Sequence, residues 1–165
     1  MRSIPDPGFA GDAGEAAADV AAALAAYASA PDDRHAATTA VLQHARLLVP
    51  VVAVAGEVEH DDRGRARDKT SDMATVLMRG QDGRTALLAF TGLESLRRWD
   101  PRARPVPVPA ARAAEAARAD GASAVVVDVA GPVMFVLEGD DLRSLADGFT
   151  LVELGGRFGW ARRAG

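Results

Sequence analysis

Reactive side chains are few in this 165-residue chain: three histidines, at 35, 44 and 60, a single lysine, Lys69, and no cysteine. Without a thiol there is no disulfide, no thiolate metal site and no cysteine nucleophile. His35 and His44 are nine residues apart, two and a half helical turns, so on one helix they point to different faces. They cannot form the i, i+4 pair of a helical zinc site. His60-Asp61-Asp62 carries donors for a divalent cation, but it lies in a charged stretch that reads more simply as a solvated loop. Ser71 sits beside Lys69 and Asp72, the ingredients of a serine-lysine nucleophile. That chemistry needs a buried lysine of depressed pKa and donors aimed at an oxyanion. A capped turn entering a strand accounts for the same residues. The chain has no nucleophile elbow, no P-loop and no dinucleotide fingerprint. No catalytic residue, metal ligand or cofactor is assigned.

Binding has better candidates. Trp99-Asp100-Pro101 is followed by Pro105-Val106-Pro107-Val108-Pro109, where alternate prolines lock an extended backbone. A partner docking on a rigid segment loses little entropy in ordering it, and a neighbouring tryptophan is the residue type of an interface anchor. Trp99, Asp100, Pro105, Val106 and Pro107 are therefore the partner-binding candidates, with Lys69 and Asp72 as a second group. The competing reading puts Trp99 in the core and uses the prolines to protect a sheet edge. Arg157, Arg162 and Arg163 with Phe158 and Trp160 make a basic aromatic cluster that suits RNA or an acidic partner, or simply a basic tail. The net charge of −4 argues against broad nucleic-acid binding.

These residues must be held by a small core. The hydrophobic fraction of 48% is inflated by 36 alanines, yet the larger apolar side chains suffice for one compact domain. Val20 to Ala30 imitates an export signal, but Asp6, Asp12, Glu15 and Asp19 make the leading segment acidic where export needs it basic. A soluble, cytoplasmic protein with no membrane segment is expected. Residues 1–11 read as a flexible arm, 12–154 as a single domain and 155–165 as a flexible tail. A helix is expected over 13–29, with Asp12 as N-cap and Val20, Leu24 and Tyr27 as its stripe. Pro31 restarts the chain into a second helix to about Ala45, with Ala37, Val41, Leu42 and Ala45 inward, giving a helical hairpin. The alanine stripe can pack on the domain or on a second copy, so a homodimer is a candidate.

Leu47–Ala55 reads as a strand that Pro50 confines to an edge or forces to begin pairing late. Gly56–Ser71 is a charged loop. Met73–Arg79 and Thr85–Phe90 flank the turn Gly80-Gln81-Asp82-Gly83, a hairpin. Thr91 and Glu94 have the spacing of a capping box for a helix with Leu93 and Leu96 on one face. Residues 110–120 form an alanine-rich helix closed by Gly121. Ala124–Val129 and Val133–Leu137 make a second hairpin, followed by a helix with Leu142 and Leu145 inward and ended by Gly148. Phe149–Leu154 is a last strand. At an offset of 49 residues Leu93 matches Leu142, Leu96 matches Leu145, Leu87 matches Val136 and Leu88 matches Leu137. Two strand-strand-helix units thus share one pattern, which a pseudo-twofold would place equivalently in one sheet. The expected class is α+β, a single domain with an N-terminal helical hairpin and a mainly antiparallel sheet.

Several of these words occur together in a known order. Asp68-Lys69-Thr70-Ser71-Asp72-Met73-Ala74 leads to Gln81-Asp82-Gly83-Arg84-Thr85 and on through Leu87-Leu88-Ala89-Phe90-Thr91. Glu94-Ser95-Leu96, Trp99-Asp100-Pro101 and Arg104-Pro105-Val106-Pro107-Val108 follow. The succession resembles the SseB N-terminal domain family in the form found in high-GC Gram-positive bacteria, over about residues 33–154. The resemblance implies no catalytic residue to carry over. It suits a binding or regulatory module with an unknown protein partner, the alternatives being an enzyme or small-ligand binder, or a ribosome- or RNA-associated factor.

Overall fold

The computed structural model describes residues 11–53 and 73–162. Helices α1 (Ala18–Ser29) and α2 (Pro31–Leu42) form the expected hairpin about Ala30, with Pro31 at the first position of α2, where its missing N–H is harmless. Val20 and Leu24 are buried and Tyr27 half-buried, as the stripe predicts. Asp12 is not the cap of α1. The helix starts at Ala18 behind Ala17, with no side-chain cap, because Asp12 is engaged by Arg46 and Gly14 instead. α2 ends at Leu42, short of Ala45, and buries Thr38 and Thr39 beside Leu42. Their hydroxyls donate to the carbonyls of Arg34 and His35 one turn back, which satisfies them inside the core.

The strands are β1 (Arg46–Ala53), β2 (Met73–Thr75), β3 (Leu77–Arg79), β4 (Thr85–Ala89), β5 (Arg104–Pro109), β6 (Ala124–Val127), β7 (Phe135–Glu138), β8 (Thr150–Leu154) and β9 (Arg157–Ala161). Helices α3 (Leu93–Trp99), α4 (Ala110–Ala119) and α5 (Gly139–Ala146) complete the elements of the described residues. One antiparallel sheet has the order β2-β1-β5, a second the order β3-β4-β6-β7, and β8 and β9 form a hairpin. Among the described residues only β4 and β6 run parallel, so the mainly antiparallel α+β expectation holds. The expected strand Met73–Arg79 is divided at Val76, its first half pairing with β1 and its second with β4. A mutual pair of backbone bonds between Leu48 and Phe90 also joins the two sheets.

Pro50 does not push β1 to an edge. β1 is the middle strand, and Pro50 stands opposite Pro105. Ala45, Val49 and Val51 occupy the positions that bond to β5, as the Ala110 N–H to the Ala45 carbonyl requires, while Leu48 bonds toward Phe90. Alternation then turns the nitrogen of Pro50 away from β5. The same parity turns the nitrogens of Pro105, Pro107 and Pro109 outward, along the free edge of β5.

The two strand-strand-helix units do join one sheet, with their helices on opposite faces. Leu87, Val125, Leu137, Leu142 and Leu145 belong to one apolar cluster. Their partners at the 49-residue offset, Val136, Val76, Leu88, Leu93 and Leu96, belong to the other. Each matched pair therefore lies on opposite faces, as though the units were related by a half-turn about an axis across the strands. Parallel pairing of β4 with β6 demands this. α4 closes the first face by apposing Ala113, Ala114 and Ala117, all at most 1% exposed, whose small size lets helix and sheet backbones approach. α4 and α5 both end in paired bonds across the last turn, from Gly121 and Ala122 and from Gly148 and Phe149, with both glycines at positive φ.

Within the tail read as flexible over 155–165, residues 157–161 form a strand. Gly155 and Gly156 at positive φ make a two-residue turn, and Arg157–Ala161 pair with β8. Trp160 packs against the main core and donates to Asp141 Oδ1 at 3.0 Å.

Candidate functional site

The polar side chains that converge lie at the carboxyl ends of β4 and β6, below α3. Asp128, one residue past β6, is 1% exposed and has φ +55°. Its Oδ1 accepts from the Thr91 N–H at 2.9 Å and its Oδ2 from the Thr91 hydroxyl at 2.7 Å. Thr91 thus does not cap α3 in a box with Glu94. Gly92 precedes the helix with no side-chain cap, and Glu94 faces Arg98 at 3.6 Å. Burial pushes the Asp128 carboxyl above its ordinary value, against the lowering effect of its bonds from Thr91 and Ser95.

Arg46 organises the other side of the same corner. Its Nε and a terminal nitrogen hold both oxygens of Asp12 at 2.7 and 3.0 Å, a bidentate clamp. The same guanidinium donates to the Glu15 carbonyl at 2.7 Å and to the Thr91 carbonyl at 2.8 Å. Asp12 Oδ1 also accepts from the Gly14 N–H, and the Gly14 carbonyl accepts from the Leu93 N–H at 2.7 Å. Residues 12–16 therefore lie as a strap across the start of α3. Two hollows flank it. One is a cleft of about 650 Å³ between the strap, Leu24, Ala25, Thr91, Pro132 and Val133, and the other is a hollow of about 260 Å³ between the strap, Leu48, Leu93, Pro105 and Pro107.

The partner-binding candidates are partly separated. Pro105 and Pro107 stand on the face of Leu48, whereas Val106, opposite Val49, is on the other face. Trp99 is half-buried against Phe90, ring centroids 5.6 Å apart, in the cluster that contains Leu48. Asp100 turns to its own backbone and accepts from the Arg102 N–H. Lys69 and Asp72 lie outside the described residues, as do Ser71, His60 and Arg163. His35 stacks on Phe135 at 4.8 Å and neither it nor His44 lines the cleft. Among the described residues no group of acids and histidines is placed to hold a metal, and no helix is long and apolar enough to cross a membrane.

The family model of the SseB protein N-terminal domain matches residues 20–144, most of the chain. The chain belongs to that family. The matched span of this SseB domain takes in nearly all of α1 and ends within α5, so it begins earlier than the 33–154 read from the motifs and stops before the β8–β9 hairpin. Nothing among curated proteins and nothing among solved structures matches the chain. The residues that sequence reading missed are Asp128, Arg46 and Gly14. Only Gly14 left a sign, as one of the glycines near the start of the chain, at a place read as helix.

Proposed function

We propose that this SseB-family domain is a cytoplasmic, non-enzymatic binding module that receives an extended segment of another protein beside α3. The carrying observation is the pair of hollows on either side of the strap, ending at Pro105 and Pro107 on one side and at Pro132 and Val133 on the other. Mostly apolar walls with polar groups at a minority of positions suit docking. Strand addition at β5 is not the mode, since its outward row lacks N–H donors at 105, 107 and 109. Trp99 lines neither hollow and packs on Phe90 in the cluster that holds Leu48 and Leu93. A second reading, a small-molecule binder, is favoured by the volume of the larger cleft, within the range of ligand pockets. The RNA reading loses support because Trp160 is engaged by Asp141 and the core, and Arg162 lies over Phe149 at 5.8 Å.

The test is capture of a partner from host extract by the full chain, compared with Pro105→Glu/Pro107→Glu and with Arg157→Glu on β9. The reading expects the co-purifying protein to be lost with the proline pair replaced and kept with Arg157 replaced. Undiminished capture by the double variant overturns it.

A further inference from the structure

We infer that residues 12–16 are a built-in occupant of the docking site, and that the partner segment displacing them carries an aspartate followed two residues later by glycine. This rests on the binding reading above and names the chemistry of the partner.

The strap is held as a bound peptide is held. Its contacts are a carboxylate clamped by Arg46, a Glu15 carbonyl on the same guanidinium and a Gly14 carbonyl on the Leu93 N–H. All of these cross more than thirty residues of chain. No apolar side chain anchors it. Ala13, Glu15 and Ala16 are exposed and only Gly14 is half-buried. With hollows on both flanks, the strap is a thin wall whose departure would merge them into one groove. A segment held by polar contacts alone can be exchanged for another that makes the same contacts.

The recognition rule follows from two positions. Gly14 has φ +86°, and a Cβ there would fall inside the Leu93 side chain, so only glycine fits. Gly92 below it is also closely approached, since a Cβ would lie 2.8 Å from the Ala16 nitrogen. The Arg46 side chain is only 11% exposed, and a cation so placed strongly disfavours losing its anion. The incoming segment must therefore bring a carboxylate, at the place Asp12 now holds. Glu15 contributes only its backbone carbonyl to Arg46, so its side chain is not part of the rule.

The probe is a fluorescent peptide of residues 11–17, titrated by anisotropy into the full-length chain and into its Gly14→Ala variant. In the unaltered chain the tethered strap competes at an effective concentration of order millimolar, so releasing it should tighten peptide binding about tenfold or more. Replacing glycine by alanine at the Gly14 position of the peptide should abolish that binding. Exchange of the Leu93 amide reports whether the strap has left, and Asp12→Asn gives a milder release should Gly14→Ala fail to fold. The inference is overturned if the Leu93 amide stays protected in both variants. It is equally overturned if the amide is freed and the peptide binds no tighter. If Pro105 and Pro107 still govern capture of a partner in that case, the binding reading stands and only the strap's role is lost.

Discussion

The two faces of the four-stranded sheet share a sequence pattern and differ in how they are covered. On one, α4 and α5 together with the helical hairpin bury Leu87, Ala89, Val125, Val127 and Phe135. On the other, α3 covers Leu88 and Phe90 and leaves Val136 half-buried, while on edge strand β3 both Met78, on this face, and Leu77, on the first, are exposed. The matched leucines show the contrast directly, for Leu142 is 3% exposed and Leu93 half-buried. A repeated unit whose copies flip across a sheet gives each helix a different task. One helix seals a core that is already thick. The other stands at the rim of an unsealed face, where the strap, the prolines of β5 and Asp128 gather.

Breaking the thick face should have the largest effect. Phe135 is fully buried, meets Tyr27 edge-on at 5.0 Å and stacks with His35. Phe135→Ala should lower unfolding free energy by about 3–5 kcal/mol in chemical denaturation. The matched leucines sharpen the comparison. Leu142→Ala should cost about 2–4 kcal/mol and Leu93→Ala about half as much or less, because the second already meets solvent. Equal losses would mean that the faces are covered alike. The smallest effect concerns Asp128, on the α3 side. Its folded carboxyl keeps a proton above 3.8, the ordinary value, so between that pH and its raised pKa the folded state binds more protons than the unfolded. Stability from this group is greatest at low pH and falls as pH rises through that window. Asp128→Asn, which can still accept from the Thr91 N–H, should flatten that part of the pH profile and gain on the unaltered chain as pH rises.

Much of the framework was written locally. Pro31 and Ala30 mark the helical joint, Gly80 and Gly83 mark the first hairpin, and Gly121 and Gly148 end their helices where the positive φ of each falls. These are contacts among neighbours, so a linear reading reaches them. The site was not legible for the opposite reason. Asp128 meets Thr91 across 37 residues, and nothing beside it in sequence marks an acid that will be buried. The capping box at Thr91 was misread because that distant carboxylate takes the hydroxyl first. Asp12 was misread in the same way, since Arg46 lies 34 residues on. β9 had a local sign, alternating Phe158 and Trp160 after Gly155-Gly156, but the density of glycine resembled fraying. The prolines were legible as an extended segment at a sheet edge, and only the register with β1 separates Pro105 and Pro107 from Val106.

That register has a consequence for the protein among its own copies. Sheets that end in a full row of amides invite collisions to become permanent, each new chain extending the last toward a fibre. Here three successive rings blunt that rim at 105, 107 and 109. A second chain meeting β5 finds the carbonyls of 105, 107 and 109 as acceptors and no donors beside them, so a complete ladder cannot form along that edge.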